Sequence, residues 1–241
     1  MTTIYFVRHG TTQANIDKIY HGDEDVPLCQ EGYRQLEYLA WAFEDIPLDA
    51  VYSSPLIRAV ETANAIGAPH GLRAVIVPEL NERSVGPYQG IPIADLLQNP
   101  KTRPLLMHVA PVNPPEGVEK PAHVQARYIK GVRRILSESA GKTVAAAVHG
   151  FGLQMYLASV LNIPLESYSR LKMGNASVTR VDYDGEGRGT LVFVDKRDFL
   201  PPELQIENIA VKLDDEADRT ATDESWARLT GAAGYPSRMN A

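Results

Sequence analysis

The 241-residue chain has 44% hydrophobic residues and a formal net charge of −6 at neutral pH. This hydrophobic content is enough for a sizeable core, which excludes disorder over most of the chain. Because no block of lysine or arginine is present, the sequence predicts neither a nucleic-acid-binding surface nor an anionic-membrane surface.

The sequence also indicates where the protein works. No apolar run approaches the roughly 20 residues of a membrane span, and the amino terminus lacks the basic-then-apolar order of a signal peptide. The single cysteine, Cys29, cannot form a disulfide within the chain, which is typical of a reducing compartment. We therefore expect a cytoplasmic protein.

Short apolar runs predict six strands along the chain. In chain order they cover residues 4–7, 50–52, 74–77, 143–148, 177–183 and 190–194. Helical spacing of apolar residues predicts helices over residues 31–44, 121–138 and the stretch after Gly150. A further helix is predicted after the second strand, with Ser54 as its cap and Pro55 at its first position. Alternating strands and helices predict a three-layer α/β/α sandwich with a mostly parallel central sheet.

Two segments do not fit this alternation. Residues 91–120 are rich in proline and keep no sustained period, so we interpret them as a lid-like insertion in a domain of residues 1–200. Residues 201–241 form a C-terminal extension with eight acidic and four basic side chains, a charge of 4 − 8 = −4. The rest of the chain is therefore nearly neutral.

Charged and polar side chains follow the predicted strands at their carboxyl ends. The first strand is followed by Arg8 and His9, and the second by Arg58 one helical turn onward. The third strand leads to Glu82, and the fourth to His149. Since the carboxyl ends of parallel strands share one edge of a sheet, we expect these five side chains to converge.

This set of residues suits phosphoryl chemistry. The forked donors of two arginines match the oxygens of a phosphate group. A histidine with one unprotonated nitrogen can act as nucleophile while a carbonyl holds the other nitrogen protonated, and His9 suits that role. A second histidine can donate to a phosphoryl oxygen, and Glu82 can protonate the departing alcohol. This account needs no metal and no cofactor.

Five motifs in the chain resemble those of the histidine phosphatase superfamily, branch 1. They are RHGTTQAN, DVPLCQEG, YSSPLIRAVETA, LNERSVGPYQG and AAVHG, which span roughly residues 4–195. The resemblance implies a phosphoglycerate mutase-like fold. It also implies a phosphohistidine at His9, a phosphate pocket of Arg8, Arg58 and His149, and a proton donor at Glu82.

The resemblance assigns further residues to the substrate. Asn15 matches an asparagine that helps to hold the phosphoryl group, while His21 and Gly22 stand where the family has a glutamine and a glycine lining the pocket. Gly10 and Gly150 follow the two histidines, and we expect them to let a ligand oxygen approach the backbone amide.

The choice between phosphatase and mutase depends on departures from the mutase pattern. Val85 stands where mutases carry a tyrosine, and the insertion lacks their adjacent arginine pair. The stretch GVEK at 117–120 also lacks the GES that is common there. We therefore favour a phosphatase over a mutase. Lys101 and Arg103 in the insertion could bind a second anionic group of the substrate, or they could be solvated.

The sequence leaves other interpretations open. The stretch HGFGLQM lacks the third glycine of a dinucleotide fingerprint, so an oxidoreductase has little support. A non-catalytic phosphate-binding protein would keep the pocket but lose the nucleophile or the acid. The expected partner is a small phosphorylated substrate, with no nucleic acid and no membrane, and a homodimer is left open.

Overall fold

The computed structural model describes residues 1–106, 113–165, 171 and 173–206. The described strands are β1 Thr2–Arg8, β2 Ile19–Tyr20, β3 Ala50–Ser53, β4 Ala74–Ile76, β5 Ile91–Pro92, β6 Thr143–Val148, β7 Val178–Tyr183 and β8 Gly189–Lys196. The described α-helices are α1 Gln13–Ile16, α2 Gln30–Phe43, α3 Ile57–Gly67, α4 Ile93–Gln98, α5 Pro121–Glu138 and α6 Gly150–Val160. The six predicted strands are confirmed, with ends that shift by a few residues.

Six strands form one sheet in the order β4-β3-β6-β1-β7-β8. The first four are mutually parallel, whereas β7 and β8 are antiparallel to their neighbours. Side chains alternate between the two faces of this sheet. Ile4 and Phe6 of β1 pack with α5 and α6, while Tyr5 and Val7 pack with α2 and α3. The predicted three-layer α/β/α sandwich is confirmed.

Helix α3 begins later than its sequence predicts. The first helical residue is Ile57, and its backbone N–H donates to Oδ1 of Asp25, 2.7 Å away. The predicted cap at Ser54 is therefore wrong, because a carboxylate from a distant loop takes that place. At the start of α2, Cys29 makes no capping bond, and its Sγ lies 3.3 Å from the carbonyl oxygen of Thr11.

Both ends of the insertion are tied to the domain. At its start, β5 pairs with β2, and the helix α4 that follows departs from the expectation of no regular period. At its end, the N–H of Glu119 donates to the carbonyl oxygen of Ser84 at 2.9 Å. Lys101 and Arg103 are exposed, and residues 107–112 lie outside the described residues. The lid-like role remains a prediction.

The beginning of the C-terminal extension packs on the domain. Leu204 is buried, and its carbonyl oxygen accepts a hydrogen bond of 2.7 Å from Nε2 of the buried Gln35 in α2. Residues 207–241 lie outside the described part of the chain, so the division at residue 200 stays a prediction. Within the described residues, no helix combines the length and apolarity needed to cross a membrane.

Candidate active site

The pairing of β1 with β6 places two histidines side by side. Arg8 and Val148 are register partners at the ends of these parallel strands, so the next residues, His9 and His149, leave the sheet together. The N–H of His9 donates to the carbonyl oxygen of Val148 at 3.0 Å, and the two imidazole rings lie 5.1 Å apart between centroids. The predicted convergence of these strand ends is therefore present in the structure.

The ring of His9 is fixed by its own loop. Its Nδ1 lies 2.7 Å from the carbonyl oxygen of Gly10, and because a carbonyl only accepts, Nδ1 carries the proton and donates it. Burial lowers the pKa of His9 well below its usual value, and the charges of Arg58, His149 and Arg8 add to this effect. The neutral ring therefore presents an unprotonated Nε2.

Arg8 is buried close to the two histidines. It is 7% exposed, and its Nη1 donates to the carbonyl oxygen of Met173 at 2.6 Å. Burial lowers the pKa of Arg8 to about 10, an effect opposed by the carboxylates of Glu82 and Asp195. The guanidinium thus stays charged at neutral pH. A Cβ at Gly150 would stand only 3.3 Å from its Nε, so glycine makes room for this side chain.

Arg58 approaches from α3 and is fully buried. Its Nη2 donates to the carbonyl oxygen of Gly22 at 2.8 Å, and its Nη1 donates to that of Glu24 at 2.7 Å. Gly22 must be glycine, since a Cβ there would meet the carbonyl oxygen of Arg83 at 2.2 Å. Burial lowers the pKa of Arg58, and the charge of Glu82 opposes this most strongly.

Glu82 extends toward the start of α6. Its Oε1 accepts from the N–H of Arg83 at 2.7 Å and of Gly152 at 3.2 Å, whereas its Oε2 accepts only from Phe151 at 3.3 Å among the described residues. Desolvation raises the pKa of Glu82, although the N–H of Arg83 and the nearby arginines oppose the shift. The carboxyl is thus better able to hold a proton than an ordinary glutamate.

His149 contacts the residue that was expected to cap α3. Its Nε2 lies 2.7 Å from Oγ of the buried Ser54, and its Nδ1 has no partner among the described residues. Burial, followed by the charges of Arg58 and Arg8, lowers the pKa of His149 well below its usual value. One ring nitrogen of His149 is therefore unoccupied beside His9.

Two asparagines support the loop that carries His9. Asn15 closes a capping box with Thr12, and its Oδ1 also accepts from Nδ2 of Asn175 at 3.1 Å. The same Nδ2 lies 3.2 Å from the carbonyl oxygen of His9. Sequence reasoning did not place Asn175 in the site, because only the fold brings it from before β7 to this loop.

His21 lies next to the same cluster. Its Nδ1 donates to the carbonyl oxygen of Ile19 at 3.2 Å. Burial, together with the charges of Arg58 and Arg8, lowers the pKa of His21 to about 4. His21 also contributes to the lowered pKa of His149, so the two rings lie near each other.

One expectation about the glycines is wrong. The N–H of Gly10 already donates to Oγ1 of Thr62 at 3.1 Å, so it is not open to a ligand oxygen. A Cβ on Gly10 would instead lie 3.1 Å from the carbonyl oxygen of Gly32. At Gly150 the missing Cβ accommodates Arg8, as described above. Both glycines thus allow close packing within the protein, and the expectation that a ligand oxygen approaches the N–H of Gly150 remains a prediction.

No metal centre is visible in the described parts of the chain. Residues 1–106, 113–165, 171 and 173–206 contain no group of three or more His, Cys, Asp or Glu that could hold a metal ion. Metal independence itself remains a prediction about the activity.

Comparison with known proteins identifies the family. The model of the histidine phosphatase superfamily (branch 1) matches residues 4–196. The chain belongs to this superfamily. The fold also matches the solved mycobacterial glucosyl-3-phosphoglycerate phosphatase, with a TM-score of 0.73 and 25% identity over 81% of this chain and 99% of that one.

Curated relatives carry names of two kinds. A protein of Hydrogenobacter thermophilus, provisionally named phosphoserine phosphatase 2, is 29% identical over 81% of this chain and 96% of its own length. The probable phosphoglycerate mutase GpmB of Yersinia pestis is 30% identical over 76% of this chain and 86% of its own length. The relatives thus include both activities that the sequence suggests.

Proposed function

We propose that this protein hydrolyses the phosphomonoester bond of a small phosphorylated metabolite through a phosphohistidine intermediate at His9. The observation that carries the proposal is the bond from Nδ1 of His9 to the carbonyl oxygen of Gly10, which leaves Nε2 unprotonated. Two buried arginines, Arg8 and Arg58, surround this nitrogen with positive charge that suits a phosphoryl group.

The reaction proceeds in two balanced steps. In the first, Nε2 of His9 attacks phosphorus, the ester P–O bond breaks, and Glu82 gives its proton to the departing alkoxide. In the second, ionised Glu82 takes a proton from water, the water oxygen attacks phosphorus, and the P–N bond breaks. Oε2 is the better oxygen to carry the proton, because Oε1 already accepts two hydrogen bonds.

The remaining site residues bind the phosphoryl group in this proposal. If the hydroxyl of Ser54 donates to Nε2 of His149, the proton of the imidazole is on Nδ1. Nδ1, which has no partner among the described residues, can then donate to a phosphoryl oxygen. We also expect Asn15 and His21 to contact the substrate, while Gly22 accepts a hydrogen bond from Arg58 and so helps to fix that side chain.

Two departures from the mutase sequence pattern favour hydrolysis over a mutase reaction. A mutase must present a second hydroxyl of a bound carboxylate substrate to the phosphoenzyme in a dry site. Val85 is 2% exposed and offers no hydroxyl where mutases carry a tyrosine, and no adjacent arginine pair is present in residues 91–120. The relatives do not decide this point, since their names include both activities.

Rapid quench with a labelled phosphomonoester tests the proposal. We expect an acid-labile, base-stable label on the protein, and replacing His9 with alanine is expected to abolish both label and turnover. Undiminished turnover in H9A would overturn the mechanism. Label chased in the presence of a phosphoglycerate acceptor is expected to leave as inorganic phosphate, whereas its transfer to the acceptor would favour the mutase.

A further inference from the structure

Arg127 of α5 binds the backbone of the segment that carries Glu82. Its Nη1 donates to the carbonyl oxygen of Glu79 at 3.0 Å and to that of Asn81, and its Nη2 donates to the carbonyl oxygen of Glu82 at 2.9 Å. Residues 81–85 form neither strand nor helix and lie between the 3₁₀ turns Pro78–Leu80 and Gly86–Tyr88. Side-chain bonds to the carbonyls of this segment therefore contribute strongly to its position.

Glu119 holds the other side of the same guanidinium. Its Oε1 accepts from Nε of Arg127 and its Oε2 accepts from Nη2, both at 2.9 Å. Together with the three carbonyls, this pair satisfies all five N–H donors of the arginine. Such a planar fork cannot be reproduced by lysine, which offers a compact charge on a flexible stem.

Glu119 is itself bound to the residues that follow Glu82. Its carbonyl oxygen accepts from Nε of Arg83 at 2.8 Å, and its Oε2 accepts from the N–H of Ser84 at 3.3 Å. The segment is thus held from both sides by one ion pair. Neither Arg127 nor Glu119 needs to touch the substrate for this effect.

We propose that Arg127, held by Glu119, is the positioning residue that keeps Glu82 aligned for proton transfer to the leaving group. The inference rests on the proposed function, because it assumes that Glu82 acts as the acid. A misplacement of about 1 Å can cost roughly 100-fold in rate, and the contacts of Arg127 are to the backbone on which the Glu82 side chain is mounted.

Arg127 also contributes charge. Glu82 is faced by Arg58 from α3, Arg8 from β1 and Arg127 from α5, and its charge in turn acts on Tyr20 and Tyr128. All three cations lower the pKa of Glu82 against the effect of burial. Removing Arg127 therefore raises the pKa of Glu82, while a lysine at this position keeps most of the charge and loses the fork.

The dependence of activity on the leaving group distinguishes a misplaced Glu82 from a general disturbance of the active site. The values of kcat/KM are measured for an alkyl phosphate, whose departure needs a proton, and for an aryl phosphate, which hardly needs one. R127K is expected to lose about 100-fold on the alkyl ester and less than about 10-fold on the aryl ester. Arg134 lies on the same helix and pairs with Glu138 at the surface, so R134M is the matched control and is expected to retain both activities.

The pH profile separates charge from geometry. With the alkyl ester, the basic limb of kcat/KM reports loss of the proton from Glu82. This limb is expected to move to higher pH in R127M and to stay in place in R127K. If R127M does not fold, E119Q is used in its place, because this variant weakens the contacts of Arg127 without removing the guanidinium. We expect E119Q to lose activity selectively on the alkyl ester, as R127K does.

The outcomes distinguish this inference from the proposed function. Equal losses on both esters, or no loss, in R127K and E119Q overturn the positioning role while wild-type hydrolysis stands. A wild-type protein with neither phosphoenzyme nor hydrolysis would instead overturn the proposed function itself.

Discussion

Replacing Glu82 with glutamine tests the acid–base step with little change in shape. The carboxylate accepts three backbone hydrogen bonds, two on Oε1 and one of 3.3 Å on Oε2. The amide oxygen of glutamine can keep the pair on Oε1, so the variant loses only the long contact to Phe151. An unsatisfied buried donor costs about 1–3 kcal/mol, which the fold is expected to survive.

The expected loss of activity is larger than this structural cost. General acid–base catalysis contributes roughly 10²–10⁴-fold, which corresponds to about 2.7–5.5 kcal/mol of barrier. We expect E82Q to lose this much in kcat/KM on an alkyl phosphate, with binding affected much less. On an aryl phosphate, whose leaving group is stable as an anion, the loss is expected to shrink.

Steady-state kinetics on the two esters, with thermal unfolding as a check on folding, measures this difference. Because Glu82 caps the start of α6 as well, a merely structural carboxylate would disturb both substrates alike. Equal losses on the alkyl and aryl esters would refute the acid role and leave Glu82 as a cap of that helix.

Three further predictions concern metals, specificity and pH. Activity is expected to survive exhaustive EDTA treatment, and its loss with recovery on adding zinc or magnesium would contradict the charge-based mechanism. Replacing both Lys101 and Arg103 with alanine is expected to raise KM for a carboxylated or doubly phosphorylated ester, because each lost charge-assisted bond removes about 1.5–3 kcal/mol of binding free energy. The KM for a neutral aryl phosphate is expected to stay unchanged, and an unchanged ranking of substrates would exclude a cationic lid. Because burial lowers the pKa values of His9 and His149, the unfolded chain takes up more protons than the folded one below about pH 6.5, so the free energy of unfolding is expected to fall as the pH drops through that range. Urea unfolding at several pH values measures how steeply the free energy of unfolding depends on pH. H149Q is expected to reduce this dependence, whereas H123Q, at an exposed position, is the control; equal dependence in the two variants would contradict the reasoning.

Local pattern predicted much of the fold. Strands such as β6 and helices such as α5 have the predicted bounds, because their apolar residues repeat with the period of the element and need no information from elsewhere in the chain. The meeting of His9 and His149 also followed from the sequence, since parallel strands deliver their carboxyl ends to one edge of the sheet.

Other features depended on contacts between distant segments. The cap of α3 comes from Asp25, 32 positions earlier, and Ser54 contacts His149 instead, 95 positions away. Polar contacts of this kind leave no periodic pattern in the sequence. A serine before a proline therefore looks the same whether it caps a helix or binds a distant histidine.

The sequence by itself determined the chemical groups, their order and the sheet edge at which they gather. Only the tertiary structure decided what holds them. Arg127 lies in the predicted helix of residues 121–138 and Glu119 in the predicted insertion, where no sequence pattern links either residue to Glu82; both become parts of the site because α5 packs beside the backbone around Glu82. The physical reason is that hydrogen-bond partners are chosen by proximity after packing, whereas apolar periodicity is already present in the unfolded chain.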